Sequence, residues 1–128
     1  MIETLGMRHV ALRVSDVERS KNFYMEVFGM RVVWQPDPDN AYLSSGSDNL
    51  ALHREPVVDP SRAGLLDHIG FFVAGIPLLE QSFSWARQHG LDIVQSLRKH
   101  RDGTSSFYIR DPDGVVIQLI YDPSLRAN

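Results

Sequence analysis

Five histidines and no cysteine set the chemistry open to this 128-residue chain. Without thiolates, any metal must be held by imidazole, carboxylate, amide oxygen or water. Two of the histidines open matching stretches. His9-Val10-Ala11-Leu12-Arg13-Val14 runs into Ser15-Asp16-Val17, and His68-Ile69-Gly70-Phe71-Phe72-Val73 runs into Ala74-Gly75-Ile76. The offset is 59 (68 − 9 = 59). A histidine at the same place in two copies of one module is a candidate metal-ligand pair, because equivalent strands can aim equivalent side chains at one cavity. A second pair follows from the turns ahead of each copy's last strand. Matching Asp48-Asn49 to Asp113-Gly114 gives an offset of 65, which sets His53 against Gln118. All four side chains can donate a lone pair to a metal.

The elements that position these residues read as βαβββ, twice. The first strand covers 8–14. Its alternation puts Val10, Leu12 and Val14 on a core face and His9, Ala11 and Arg13 on the other. Ser15 to Glu18 has capping-box spacing, with Ser15 as N-cap. The helix carries Val17, Phe23, Tyr24, Val27 and Phe28, and Gly29 suits a left-handed C-terminal cap. Strands at 31–35, 41–44 and 49–54 follow, separated by turn-forming runs. Residues 55–66 read as a linker. The second copy has a strand at 67–73, a helix from Pro77 to His89 closed by Gly90, and strands near 92–97, 105–110 and 115–121. Asp111-Pro112-Asp113-Gly114 makes the final hairpin turn.

Composition bounds the rest. The chain is long enough for one ordinary domain with its own core. A net charge of −3 leaves no basic footprint for nucleic acid. No signal-peptide pattern and no membrane-length apolar run are visible, so a cytoplasmic protein without a membrane partner is expected.

The whole chain resembles the vicinal oxygen chelate superfamily, which includes glyoxalase I, extradiol ring-cleavage dioxygenases, fosfomycin-resistance enzymes and bleomycin-resistance proteins. The resemblance rests on the two histidine strands, on Asp16 through Tyr24, on Phe28-Gly29-Met30, and on Phe107-Tyr108-Ile109-Arg110-Asp111-Pro112-Asp113-Gly114 continuing to Gln118-Leu119. It implies an α+β fold of two βαβββ modules (about 6–54 and 67–122) in a single domain, forming a cupped mixed sheet around a central cavity with helices outside. It also implies a divalent metal on His9, His53, His68 and Gln118, with Fe²⁺ the first expectation and Zn²⁺, Mn²⁺ or Ni²⁺ the others. The last ligand position is ordinarily glutamate in that family. Gln118 supplies an oxygen without the charge.

His100-Arg101-Asp102-Gly103-Thr104-Ser105-Ser106-Phe107-Tyr108 is similar to a run in ring-cleavage enzymes where the tyrosine contacts substrate. That likeness makes Tyr108 and His100 the candidate catalytic residues, with Tyr108 and Arg13 as candidate substrate contacts. Against fosfomycin chemistry, the position two after the first histidine is Ala11, which has no hydroxyl.

Two functions follow. One is a small metal-dependent enzyme that chelates two vicinal oxygens of its substrate, with ring-cleavage dioxygenase as the specific expectation. The other is a metal-free protein that sequesters a drug or metabolite, as bleomycin-resistance proteins do. A homodimer acting on a small molecule is expected in either case. The plainer readings are that His89 favours a helix C-terminus, that Trp34 and Trp85 pack in a core or interface, and that Arg13 pairs with Glu26.

Overall fold

The computed structural model describes residues 1–57, 59 and 64–125. The chain divides into two compact units, Met1–Asp59 and Pro60–Asn128. Each is a four-stranded mixed sheet with one helix, so the α+β reading as two βαβββ modules holds. The expected linker at 55–66 spans their boundary, and its residues 58 and 60–63 lie outside the described set.

The first unit holds β1 (His9–Val14), α1 (Val17–Phe28), β2 (Arg31–Asp37), β3 (Asn40–Ser44) and β4 (Asn49–Arg54). The sheet order is β1-β4-β3-β2, with β1 parallel to β4 and the other pairs antiparallel. Alternation along β1 sorts the strand: Leu12 and Val14 are buried, while His9, Ala11 and Arg13 are exposed. The buried residues join Leu43, Leu50 and Leu52 of the sheet and Tyr24 of α1 in the core. Tyr24 stacks on Phe28 one turn later, with centroids 5.9 Å apart, the i, i+4 contact expected of a helix face.

The helix ends follow capping rules with one correction. Asp16, not Ser15, is the N-cap: its carboxylate accepts from the Arg19 amide at 3.0 Å. Ser15 instead accepts from the Arg19 guanidinium at 2.8 Å. Both residue types cap well, and the carboxylate here is the group that reaches the third amide of the helix. Gly29 closes α1 at φ 65°, a left-handed conformation that glycine adopts without Cβ strain.

The second unit holds β5 (Ile69–Phe72), α2 (Ile76–Gln88), β6 (Ile93–Lys99), β7 (Ser105–Arg110) and β8 (Val116–Tyr121). The order is β5-β8-β7-β6, again with the first pair parallel. Phe107, Ile109, Ile117 and Leu119 form the buried face of this sheet. Phe83 of α2 meets Phe107 edge-on, with centroids 5.2 Å apart. Pro77 sits in the first turn of α2, where it removes no helical hydrogen bond. His89 is the C-cap, its ring on the Trp85 carbonyl at 2.9 Å. That fits the structural reading of His89. The final turn is fastened by buried Asp111, whose Oδ1 accepts from the Asp113 and Val115 amides at 3.0 and 2.9 Å. No helix among the described residues is long and apolar enough to cross a membrane.

Candidate functional site

Strand register decides which predicted residues are neighbours. In the second unit Gln118 of β8 lies between two partners, Gly70 of β5 and Tyr108 of β7. All three side-chain positions therefore share the sheet face opposite the Phe107–Ile117 core. His68 stands one residue ahead of β5, two before Gly70, and so projects to that same face. Its ring meets Tyr108 edge-on, with centroids 5.4 Å apart and planes at 89°. Ser106 lies two positions from Tyr108 on the same face and is fully buried. Gln118 donates its amide N–H to Ser106 Oγ at 3.0 Å, and His100 Nε2 lies 2.6 Å from that same oxygen. One face of this unit thus gathers His68, Tyr108, Gln118, Ser106 and His100.

The first unit carries His9 and His53, and here the register departs from the turn-based matching. His9 is opposite Asn49, while His53 is opposite Arg13, four residues further along. At about 3.3 Å per residue that is roughly 13 Å of strand. The position equivalent to Gln118 is found two residues after the first histidine. Ala11 pairs with Ala51 there, as Gly70 pairs with Gln118 in the other unit. The true offset is therefore 67 (118 − 51 = 67), not 65. The reason is where each strand begins: Asn49 is already the first residue of β4, whereas Gly114 stands two residues before Val116, the first residue of β8. His53 is on the expected face but displaced by two positions. Its ring hydrogen-bonds Asn40 at 2.6 Å and meets Tyr42 edge-on.

The histidines share one feature that bears on ligation. His68 Nδ1 lies 2.5 Å from Asp67 Oδ2, and His9 Nδ1 lies 2.8 Å from Asn49 Oδ1. A carboxylate or carbonyl oxygen only accepts, so in neutral rings each Nδ1 carries the proton. Each Nε2 then keeps its lone pair, the tautomer set in metal-binding histidines by an acceptor that takes the other ring N–H. Gln118 follows the same logic. Its nitrogen is engaged by Ser106, which leaves Oε1 as the donor atom. By this test of donor chemistry His9, His68 and Gln118 each present a lone-pair donor of the kind a divalent ion takes. Among the described residues, no three His, Asp or Glu side chains form a cluster that would hold a metal.

The other predicted residues fall as follows. Arg13 is exposed on the His9 face, and among the described residues it forms no ion pair, with Glu26 or any other acid. His100 opens the β6–β7 turn, where its amide donates to the Thr104 carbonyl at 2.7 Å. Asp102 in that turn accepts from the Thr104 hydroxyl and amide at 2.7 and 2.9 Å. Those bonds, the hydroxyl first, hold its carboxyl below the ordinary range, and nearby His100 acts the same way. Trp34 is exposed and stacks on Tyr42, with centroids 4.9 Å apart. Ser106 is the functional candidate that sequence spacing did not isolate. Strand alternation from Tyr108 was the signal that could have found it.

A cleft of about 190 Å³ lies on the opposite, helix side of the second sheet, lined by Leu79, Glu80, Arg98 and Ser105 among others. None of the five side chains gathered on the Gln118 face lines it.

Two βαβββ units in one chain, each entered through a histidine, define the class of fold. The chain belongs to the Glyoxalase/Bleomycin resistance protein/Dioxygenase superfamily, whose model matches residues 6–119. It is 26% identical over 120 residues to the metallothiol transferase FosB of Staphylococcus saprophyticus, covering 93% of this chain and 77% of that one. It is 26% identical over 128 residues to a lactoylglutathione lyase of Neisseria meningitidis, covering 94% and 93% of the two chains. The fold is that of a superfamily protein from Alicyclobacillus acidocaldarius, with TM-score 0.75, 20% identity, and coverage of 97% and 96%.

Proposed function

We propose that this chain is a small metal-dependent enzyme whose substrate presents two vicinal oxygens. The observation that carries the reading is the paired tautomer control of His68 and His9, together with the engaged nitrogen of Gln118. Three side chains at the positions implied by the repeat each have their competing polar atom occupied. His68 and Gln118 are the ligands offered by the second module, and His9 is their counterpart from the first. His53 is left out, because the register displaces it from the ligand position.

A bound divalent ion would act there as a Lewis acid toward substrate oxygens. The protein's own groups do the remaining work. Asp67 fixes the His68 ring. Tyr108, beside both His68 and Gln118, presents a phenolic hydroxyl that can donate to a substrate oxygen. Arg13 supplies a positive charge on the His9 face for an anionic substrate.

Ring cleavage of a catechol is the specific reaction we favour from the Tyr108 motif. The relatives found bear transferase and lyase names instead, so this step rests on the motif alone. Oxygen uptake by iron-loaded protein with a panel of catechols tests it, and no uptake with any catechol would remove it while leaving the metal site standing.

The neutral amide at Gln118 favours a second reading. A protein that sequesters a small molecule without a metal has no use for a charged ligand. Tight binding of an aromatic drug by metal-free protein, unchanged in His68→Ala, would favour that reading.

A further inference from the structure

The hydrogen-bond chain behind Gln118 has a direction, and the direction depends on glutamine. Ser106 Oγ touches Gln118 Nε2 at 3.0 Å and His100 Nε2 at 2.6 Å. Ser106 is fully buried, and the other two residues are half-buried. An amide nitrogen can only donate, so Ser106 accepts from Gln118. A hydroxyl has a single proton to give, and the remaining partner within reach is His100 Nε2. The hydroxyl oxygen could also accept a second bond, but a donating Nε2 would leave the buried hydroxyl proton without either of these partners as acceptor; with Nε2 as the acceptor it is satisfied, and the proton of the neutral ring is on Nδ1. The chain runs from Gln118 Nε2–H to Ser106 Oγ–H to His100 Nε2.

We propose that Ser106 and His100 are positioning residues for Gln118. They hold its nitrogen inward and its oxygen outward, and the tautomer of His100 is set by the residue at 118. What the outward oxygen binds rests on the function proposed above, whereas the chain itself does not.

The coupling follows from donor arithmetic. A carboxylate at 118 has no proton to donate to Ser106. The hydroxyl would turn to donate to it, and His100 would then have to supply the proton on its own side through Nε2–H. Glutamine and glutamate at 118 therefore demand opposite tautomers of His100. Without Ser106, nothing selects the amide orientation, and the nitrogen competes with the oxygen for the open face.

His100 is thereby removed from the role of a freely placed catalytic base. Its Nε2 is committed inside the protein. The turn that carries it is tied by the His100 amide on the Thr104 carbonyl and the Gly103 amide on the His100 carbonyl, at 2.7 and 3.1 Å. That geometry suits a fixed acceptor better than a group that must swing to substrate.

The test uses metal-free, full-length protein labelled with ¹⁵N, so it does not depend on any metal being bound. At about pH 8, where an ordinary imidazole is neutral, long-range ¹⁵N–¹H spectra report the tautomer of His100. The expected wild-type result is Nδ1–H with an unprotonated Nε2. Gln118→Glu is expected to convert His100 to the Nε2–H form. Ser106→Ala is expected to speed solvent exchange of the Gln118 side-chain amide by up to about tenfold, the value of one hydrogen bond. A wild-type His100 already in the Nε2–H form would overturn the proposal, as would a tautomer indifferent to Gln118→Glu. Gln118→Glu leaves buried Ser106 in place, so the proposal stays testable if Ser106→Ala fails to fold. If the tautomers behave as expected but no metal binds, the chain stands and the enzyme reading fails.

Discussion

Tyr108 and Gln118 are direct partners across the β7–β8 ladder. They stand ten positions apart in sequence (118 − 108 = 10) on the two arms of one hairpin, closed by the Asp111 turn. Their side chains therefore stand side by side on one face, with His68 against the tyrosine ring. A candidate ligand, a candidate substrate contact and a second candidate ligand are thus placed by a single sheet.

Restoring a charge at Gln118 is expected to strengthen metal binding. Gln118→Glu should lower the dissociation constant for Zn²⁺ at least about tenfold, which needs only about 1.4 kcal/mol of added attraction. Competition with a chromogenic chelator measures it. An unchanged constant would mean that this side chain does not face the ion.

Asp67 orients His68 but is itself exposed, with 93% of its side chain accessible. Asp67→Ala should leave the melting temperature nearly unchanged while weakening metal binding about 10- to 100-fold, the usual cost of losing the acceptor that orients a ligating imidazole. Equal affinity in mutant and wild type would show that the ring needs no such partner.

Asp111 is a structural residue, and its loss should separate stability from ligation. Removing a buried carboxylate that satisfies two backbone amides costs about 1–3 kcal/mol. Urea unfolding of Asp111→Ala should show that loss. Wild-type stability would mean that the turn is held by other contacts.

The turn beside His100 carries a pH signature. Asp102 is held ionised below the ordinary carboxylate range, chiefly by the Thr104 hydroxyl. For a depressed carboxyl, the stabilisation is fully present above the unfolded-state value and is lost as pH falls through the folded-state value. The Thr104 amide resonance should therefore titrate at a pH below that of an ordinary aspartate. A midpoint at the ordinary value would contradict the assigned hydrogen bonds.

Much of this arrangement is legible in the sequence, for identifiable reasons. Alternation in β1 predicts buried Leu12 and Val14 beneath exposed His9 and Arg13, because one face of the strand packs and the other does not. Gly29 and Pro77 mark helix ends through backbone constraints that are local to each residue. The placement of His53 depends on something that is not local. Turn composition aligns Asp48-Asn49 with Asp113-Gly114, but Asn49 already belongs to β4 while Gly114 is still two residues short of β8, so Ala51 takes the position opposite Ala11. The role of Ser106 is likewise out of reach of spacing, since it needs the β6–β7 turn to bring His100 back over the strand.

If His68 and Gln118 hold a divalent ion, each of them is needed to retain it. Elemental analysis of wild type, His68→Ala and Gln118→Ala after anaerobic iron or zinc loading and desalting tests it most directly. Stoichiometric metal in the wild type, with most of it lost in both variants, is the predicted result. Only trace metal in the wild type, or equal metal in all three proteins, would contradict it.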